Sequence, residues 1–203
     1  MNAEFLKTLQ RDGLTWDDYL AEMDRAAAVD PATLEGEAAE RAEFSKLNHH
    51  RTGRILRTWK PSDELAALAA ALDGPRTWLV LTETWCGDSA QCLPMIARLA
   101  EAAPDVTLRI LLRDSNLEVM DRFLTDGKRA IPKLVAFDAG GDEIFRWGAR
   151  PAAAQAVVDE ALAQGLEKAH RLERLHLFYG RDRGRALDAE FVTLFASLTG
   201  GSP

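Results

Sequence analysis

Cysteine is scarce in this sequence: Cys86 and Cys92 are the only two in 203 residues. Two cysteines do not build a disulfide-linked scaffold, and in a reducing compartment a cysteine is more often a reactive or a simply buried group. The sequence also has no apolar run near the ~20 residues that a membrane-spanning helix requires. Its N-terminal stretch, MNAEFLKTLQRDG, lacks the basic-then-apolar order of a signal peptide. We therefore expect a soluble, cytoplasmic protein without a membrane partner.

Positive charge is also in deficit, with 25 Lys and Arg against 32 Asp and Glu and a net charge of -7. An acidic chain repels phosphate backbones, so a nucleic-acid partner is not expected. The histidines have no metal-ligand spacing with the cysteines, and we expect neither a metal site nor a cofactor. These histidines are His49, His50, His170 and His176. The composition, 47% hydrophobic and 28% charged, is that of an ordinary globular domain.

Three regions of the chain differ in their hydrophobic pattern. Residues 1–75 carry apolar residues at helical spacing and predict an N-terminal helical extension. From residue 76, apolar strand-like runs (TWLVLT, VTLRILL, KLVAFD and EIFRWG) alternate with the helical stretches SAQCLPMIARLAEAA and NLEVMDRFLT. The order β-α-β-α-β-β-α over residues 76–165 predicts one mixed α/β sheet. From Pro151 a long Ala-rich helix is expected to run toward Tyr179, and residues 166–203 to form a C-terminal helical extension packed on the same domain.

The stretch LTETWCGDSAQCLP, residues 81–94, contains both cysteines and follows the first predicted strand. Its Trp-Cys-Gly sequence, with Pro94 eight residues after Cys86, resembles the active-site segment of the thioredoxin superfamily. The later AIPKLVAFD resembles the segment of that superfamily that carries a cis proline. The resemblance covers residues 76–165 and implies a thioredoxin-like fold in which Cys86 is the catalytic residue and Ile131 and Pro132 position the substrate. The other residues of the implied active-site motif are Trp85, Gly87, Asp88 and Ser89.

A cysteine between a strand and a helix faces unpaired backbone N–H groups and the positive end of the helix dipole. Both favour the thiolate, which is the nucleophilic form of the side chain. Basic residues near the implied cis proline would strengthen this effect, and acidic residues near Cys86 would oppose it. The basic residues are Lys128, Arg129 and Lys133, and the acidic residues are Glu83 and Asp88. This balance leaves the pKa of Cys86 open.

The second redox cysteine of the superfamily would stand three residues after the first, and Ser89 stands there instead. Cys92 lies six residues after Cys86, which on a helix puts the two Cα atoms roughly 10 Å apart. A disulfide needs a Cα separation of about 4.4–6.8 Å, so the first helical turn would have to unwind. Cys92 also shares the core-facing stripe of this helix with Met95 and Ile96. A role in core packing is therefore favoured over a role as second thiol.

These observations favour a monothiol redox protein, in which Cys86 exchanges disulfides and glutathione or another small thiol resolves the mixed disulfide. The substrate would be a protein disulfide or a small-thiol disulfide, and an active protein would be a thiol-disulfide oxidoreductase. Val80 is consistent with this interpretation, because two-thiol members of the superfamily commonly bury a carboxylate at that strand position. Two alternatives stay open. One is a non-catalytic thioredoxin-fold module that binds a peptide or protein partner, and the other is a Cys86–Cys92 disulfide that acts as a regulatory switch.

Overall fold

A mixed four-stranded sheet forms the centre of the protein. The computed structural model describes residues 3–200. The strands are β1 (Arg76–Thr82), β2 (Val106–Leu112), β3 (Lys133–Phe137) and β4 (Glu143–Gly148). Their order across the sheet is β2-β1-β3-β4, with β1 parallel to β2 and antiparallel to β3, and with β3 antiparallel to β4. β1 is buried along nearly its whole length, as its continuous apolar run predicts.

In the described part of the chain, four α-helices precede the sheet: α1 (Ala3–Asp12), α2 (Trp16–Ala28), α3 (Gly36–Thr58) and α4 (Asp63–Ala70). Helices α2, α3 and α4 contribute to the same hydrophobic core as Trp78 of β1, through side chains that include Met23, Ile55 and Leu65. Helix α1 instead packs in a second core, through Leu6 and Leu9. The N-terminal segment therefore packs on the sheet through both cores. The domain boundaries at residues 75 and 165 stay predictions.

The helices α5 (Gly87–Ala102), α6 (Leu117–Met120) and α7 (Ala152–Ala163) follow β1, β2 and β4 respectively. The resulting order β-α-β-α-β-β-α is the one that the sequence predicts. Alternate residues of β1 face two cores on opposite sides of the sheet. Val80 packs in the main core with α5, while Leu81 packs in the second core with α1 and α6.

Two helix predictions need correction. The stretch NLEVMDRFLT forms only the short α6. The helix ends early because Phe123 packs against Phe137, with ring centroids 6.1 Å apart. The long helix predicted after β4 is two helices, α7 and α8 (Lys168–Asp182), because the chain turns at Gly165 with φ +68°. A last helix, α9 (Arg185–Leu198), follows. No helix within residues 3–200 is long and apolar enough to cross a membrane.

The register of the sheet brings two segments of the predicted site together. Leu81 of β1 pairs with Lys133 of β3, so the loop that follows β1 lies beside the residues that precede β3. Cys86 belongs to the first of these segments and Pro132 to the second. The antiparallel pairing of β1 with β3 is therefore what positions the site.

Candidate functional site

Cys86 lies where β1 has ended and α5 begins, at the N-cap position of that 16-residue helix. The residue is 8% exposed. Its Sγ donates a hydrogen bond to the Ile131 carbonyl oxygen, 3.4 Å away, and the adjoining Ile131–Pro132 peptide bond is cis. The structure thus brings together Cys86, Ile131 and Pro132, three of the residues that the sequence singles out.

Ser89, at the position where a second redox cysteine would stand, is buried beneath the Cys86 loop. Its Oγ accepts a 2.6 Å hydrogen bond from the Thr82 hydroxyl. The Ser89 hydroxyl and the backbone N–H groups of Asp88 and Ser89 lie near enough to the Cys86 sulfur to lower its pKa. The donors that the sequence predicts at the start of α5 are therefore present, and they favour the thiolate.

Burial raises the pKa of Cys86 by more than these donors lower it. Desolvation of the thiol, followed in size by the negative charge of Asp88, raises the pKa of Cys86 to about 11. The thiol is therefore protonated at neutral pH in this conformation. Whether desolvation or the helix-start donors control the pKa of Cys86 depends on how deeply the loop is buried. The sequence alone does not give the depth of burial.

The sequence predicts that basic residues near the proline support the Cys86 thiolate, namely Lys128, Arg129 and Lys133. None of the three is among the charges that shift the pKa of Cys86. Arg129 instead pairs with Asp121, with 2.6 Å between Nε and Oδ1. The cation that pairs with the motif residue Asp88 is Arg150, from the loop after β4, and the sequence analysis missed it. It binds Asp88 Oδ2 through Nε and Nη2, at 3.0 and 2.6 Å.

Asp88 is a buried carboxylate with donors for both oxygens. The Tyr179 hydroxyl of α8 donates to Oδ1 at 2.5 Å, and Arg150 binds Oδ2. Arg150 also donates to Gln155 of α7 at 3.1 Å. A buried charge requires such partners, because burying it unpaired is costly. This network joins the start of α5 to α7 and α8, and no spacing rule in the sequence points to Arg150 or Tyr179.

Cys92 lies next to this network and has no exposed surface. Its sulfur is 3.9 Å from the Tyr179 hydroxyl, and burial raises its pKa well above the ordinary value. Both cysteines are free, and α5 runs without a break through the positions between them. Cys92 packs in the main core with the other residues of its helical stripe, Met95, Ile96 and Leu99.

A pocket with a cavity volume of about 230 Å³ opens above Cys86. One wall comes from α3, with Arg41 and Phe44, and another from α8, with Leu172 and His176. The pocket is completed by three other residues of the motif, Trp85, Gly87 and Asp88. Helices from both ends of the chain therefore line the site.

Two guanidinium groups contact the ring of Trp85. Arg41 of α3 and Arg113 lie 4.7 and 4.9 Å from the centroid of its ring. Both arginines also pair with Asp114, at 2.8 and 2.7 Å. The backbone N–H of Asp114 donates to Glu83 at 2.7 Å, so the acidic residue ahead of Trp85 joins the same cluster. This arrangement ties the motif loop to α3 and to the end of β2.

Gly87 allows α8 to approach the start of α5. A Cβ at position 87 would lie 2.9 Å from Cε1 of His176, closer than side-chain atoms ordinarily approach. Burial and the positive charge of Arg51 lower the pKa of His176 to about 4, so its imidazole is neutral. Its Nδ1 is buried without a hydrogen-bond partner. On the α3 side, Asn48 donates to the Thr84 carbonyl at 3.1 Å, so helices on two sides hold the motif loop.

The fold and this site are those of a thioredoxin-like protein with one cysteine at the start of α5. A thioredoxin family model matches residues 36–163, more than half of the chain, and the chain belongs to that family. The matched region begins within the N-terminal helices and includes α3. The predicted membership of the thioredoxin superfamily is thus confirmed.

Solved structures extend the likeness to nearly the whole chain. A protein of unknown function from Pseudomonas aeruginosa shares 18% identity with a TM-score of 0.57, over 93% of this chain and 95% of that one. An HIV epitope-scaffold shares 15% identity with a TM-score of 0.53, over 96% of this chain and 94% of that one. No curated protein matches this chain. At these identities the structures show the fold alone, and they confirm the predicted thioredoxin-like α/β fold with extra terminal helices.

Proposed function

We propose that the protein carries out monothiol disulfide exchange through Cys86. The observation that carries the proposal is the location of Cys86 at the start of α5, in a pocket and beside Ile131–Pro132, with Ser89 where a resolving cysteine would stand. Membership of the thioredoxin family supports it. The burial of Cys92 in the core argues against a part for that residue in the exchange.

In the proposed reaction the Cys86 thiolate attacks one sulfur of a disulfide. A mixed disulfide with Cys86 forms, the original sulfur–sulfur bond breaks, and the leaving thiolate takes up the proton that Cys86 lost. A small thiol such as glutathione then attacks the mixed disulfide and regenerates the Cys86 thiol. Electrons balance, because one disulfide and one thiol give one new disulfide and one new thiol. The second step requires a reduced small thiol, which suits the proposed cytoplasmic location.

The remaining motif residues would assist this reaction in different ways. Ser89 and the N–H groups at the start of α5 would stabilise the thiolate. The backbone at Ile131–Pro132 would position the substrate beside the Cys86 sulfur. Trp85 would cover one side of the Cys86 sulfur, and Gly87 would keep α8 close to it.

The raised pKa of Cys86 limits the rate of the proposed reaction. At pH 7.5 a thiol with a pKa of about 11 is ionised to only about 0.03%. We therefore expect slow exchange at neutral pH and faster exchange as the pH rises. A thiol that stays unreactive at every pH would favour the alternative, a non-catalytic module that binds a peptide or protein partner.

A turnover assay tests the proposal. The protein is combined with a small disulfide and reduced glutathione, and consumption of the disulfide is followed in alkaline buffer above the uncatalysed rate. We expect Cys92→Ser to keep the wild-type rate and Cys86→Ser to fall to the uncatalysed rate. A wild-type protein without activity would contradict the proposal. Loss of activity in Cys92→Ser would point instead to a Cys86–Cys92 disulfide.

A further inference from the structure

The pocket above Cys86 is small. The cysteine is 8% exposed, and α3 and α8 both line the pocket. Its volume of about 230 Å³ lies below the roughly 300–1,000 Å³ typical of sites for drug-sized ligands. The available space fits a small molecule.

The walls of the pocket are mainly apolar. Phe44 of α3 and the indole of Trp85 contribute aromatic surface, and Leu172 and Leu175 of α8 contribute aliphatic surface. Because burial of apolar surface is the main favourable contribution of such walls, they favour a ligand with an apolar group. The cysteine lies among these side chains, so a ligand that fills the pocket brings its sulfur close to Cys86.

Every positive charge that lines the pocket has an acidic partner. The pairs are Arg41 with Glu37 and Asp114, Lys168 with Glu40, and Arg150 with Asp88, at distances between 2.6 and 3.2 Å. His176 is neutral, because burial and the charge of Arg51 lower its pKa to about 4. Arg51 itself does not line the pocket and donates to Asn48 at 2.9 Å. The lining therefore offers no unpaired charge to an ionic ligand.

We infer that the pocket selects a small, uncharged disulfide with an apolar group, aromatic or branched aliphatic, attached to sulfur. This inference rests on the proposed exchange at Cys86 and names the substrate class for it. The apolar group occupies the space lined by Phe44 and Leu172, and the sulfur that carries it forms the new bond to Cys86. The other half leaves as a thiol, and a reduced small thiol then releases the bound half as a new disulfide.

The test compares second-order rate constants for Cys86 with three disulfides at pH 8, in a Cys92→Ser background. Dithiodipyridine is small, aromatic and uncharged. Dithiobis-nitrobenzoate is aromatic but carries two carboxylates, and insulin supplies a protein disulfide. Each rate constant is divided by that of the same chain unfolded in urea, which cancels the intrinsic reactivity of the reagent. We expect the normalised rate constant for dithiodipyridine to exceed the other two by about tenfold or more.

Variants of α8 test whether the apolar pocket wall causes the preference for dithiodipyridine. Leu172→Glu adds a charge to the apolar wall and should lower the dithiodipyridine rate constant about tenfold. Leu177→Glu is the matched control, because Leu177 is 50% exposed on the same helix, and it should leave the rate constant unchanged. Leu172→Ala keeps the wall apolar and should lower the rate constant by no more than about threefold. Circular dichroism checks that each variant is folded.

Two sets of results would overturn the inference. Equal normalised rate constants for the three reagents, or a faster reaction with the dianionic one, would exclude selection for uncharged disulfides while leaving exchange at Cys86 intact. A folded protein that reacts with none of them, while the unfolded chain reacts with all, would overturn the proposed function as well.

Discussion

Replacement of Asp88 by Asn should make Cys86 easier to ionise. The Asp88 carboxylate is the second cause of the raised pKa of Cys86, after burial. In general, a unit charge roughly 6 Å from a titrating group contributes about 3 kcal/mol, or about 2 pKa units, at an effective dielectric constant of about 20. Solvent in the pocket weakens this interaction. We therefore expect the pKa of Cys86 to fall by about one unit in Asp88→Asn.

Alkylation by iodoacetamide, followed by mass spectrometry as a function of pH, measures this pKa. All proteins carry Cys92→Ser, so that a single thiol reacts. At pH 8 the Asp88→Asn variant should react about tenfold faster than its parent, because the thiolate fraction rises by that factor. Glu83→Gln is the control. Glu83 is also buried and close in sequence, but its carboxylate accepts from the Asp114 N–H and does not shift the pKa of Cys86.

An Asp88→Asn variant that reacts at the parental rate would refute the electrostatic reasoning. Equal acceleration in Asp88→Asn and Glu83→Gln would show that loosening of the motif loop, rather than the charge of one residue, controls the reactivity of Cys86. Only acceleration confined to Asp88→Asn agrees with the structure.

Three further results are expected. Tyr179→Phe removes the hydrogen bond to Asp88 without opening a cavity. Urea unfolding should show a free energy of unfolding lower by about 2 kcal/mol at constant m-value. A loss below about 0.5 kcal/mol would contradict the buried network. The raised pKa of Cys86 stabilises the folded state below the unfolded-state pKa of about 8.5, and this stabilisation, about 3 kcal/mol, is lost as the pH rises toward 11. Stability of Cys86→Ser should therefore fall less steeply over that interval, and identical pH profiles would show that the thiol is not desolvated. Ser89→Cys supplies a second thiol, which should form an internal disulfide with Cys86 on oxidation. Intact mass would show this disulfide as the loss of two hydrogens. A variant that stays reduced would mean that a side chain at position 89 cannot reach the Cys86 sulfur.

Local patterns in the sequence were sufficient for the sheet and for α5. β1 and β2 are apolar runs bounded by turn residues, and the core-facing stripe of α5 includes Cys92, so pattern alone fixes their type. The break between α7 and α8 was not predictable in the same way. A glycine such as Gly165 can lie within a helix or end one. Here the packing of α8 against the site determines that the helix ends.

The site was predictable only where its residues are neighbours in sequence or belong to the proline segment. Arg150 and Tyr179 reach Asp88 because α7 and α8 fold back over the start of α5, and no local signal encodes that contact. The pKa of Cys86 was open for the same reason. Helix-start donors follow from local geometry, whereas desolvation depends on helices brought in from both ends of the chain.

In the proposed reaction, Cys86 alone forms and releases mixed disulfides. The most direct measurement is to treat the protein with a small disulfide at alkaline pH, quench with acid, and locate the adducts by intact mass and peptide mapping. We expect one adduct, on Cys86, that reduced glutathione removes, and no adduct on Cys92. An unmodified Cys86, or a Cys86–Cys92 disulfide in its place, would contradict monothiol exchange at Cys86.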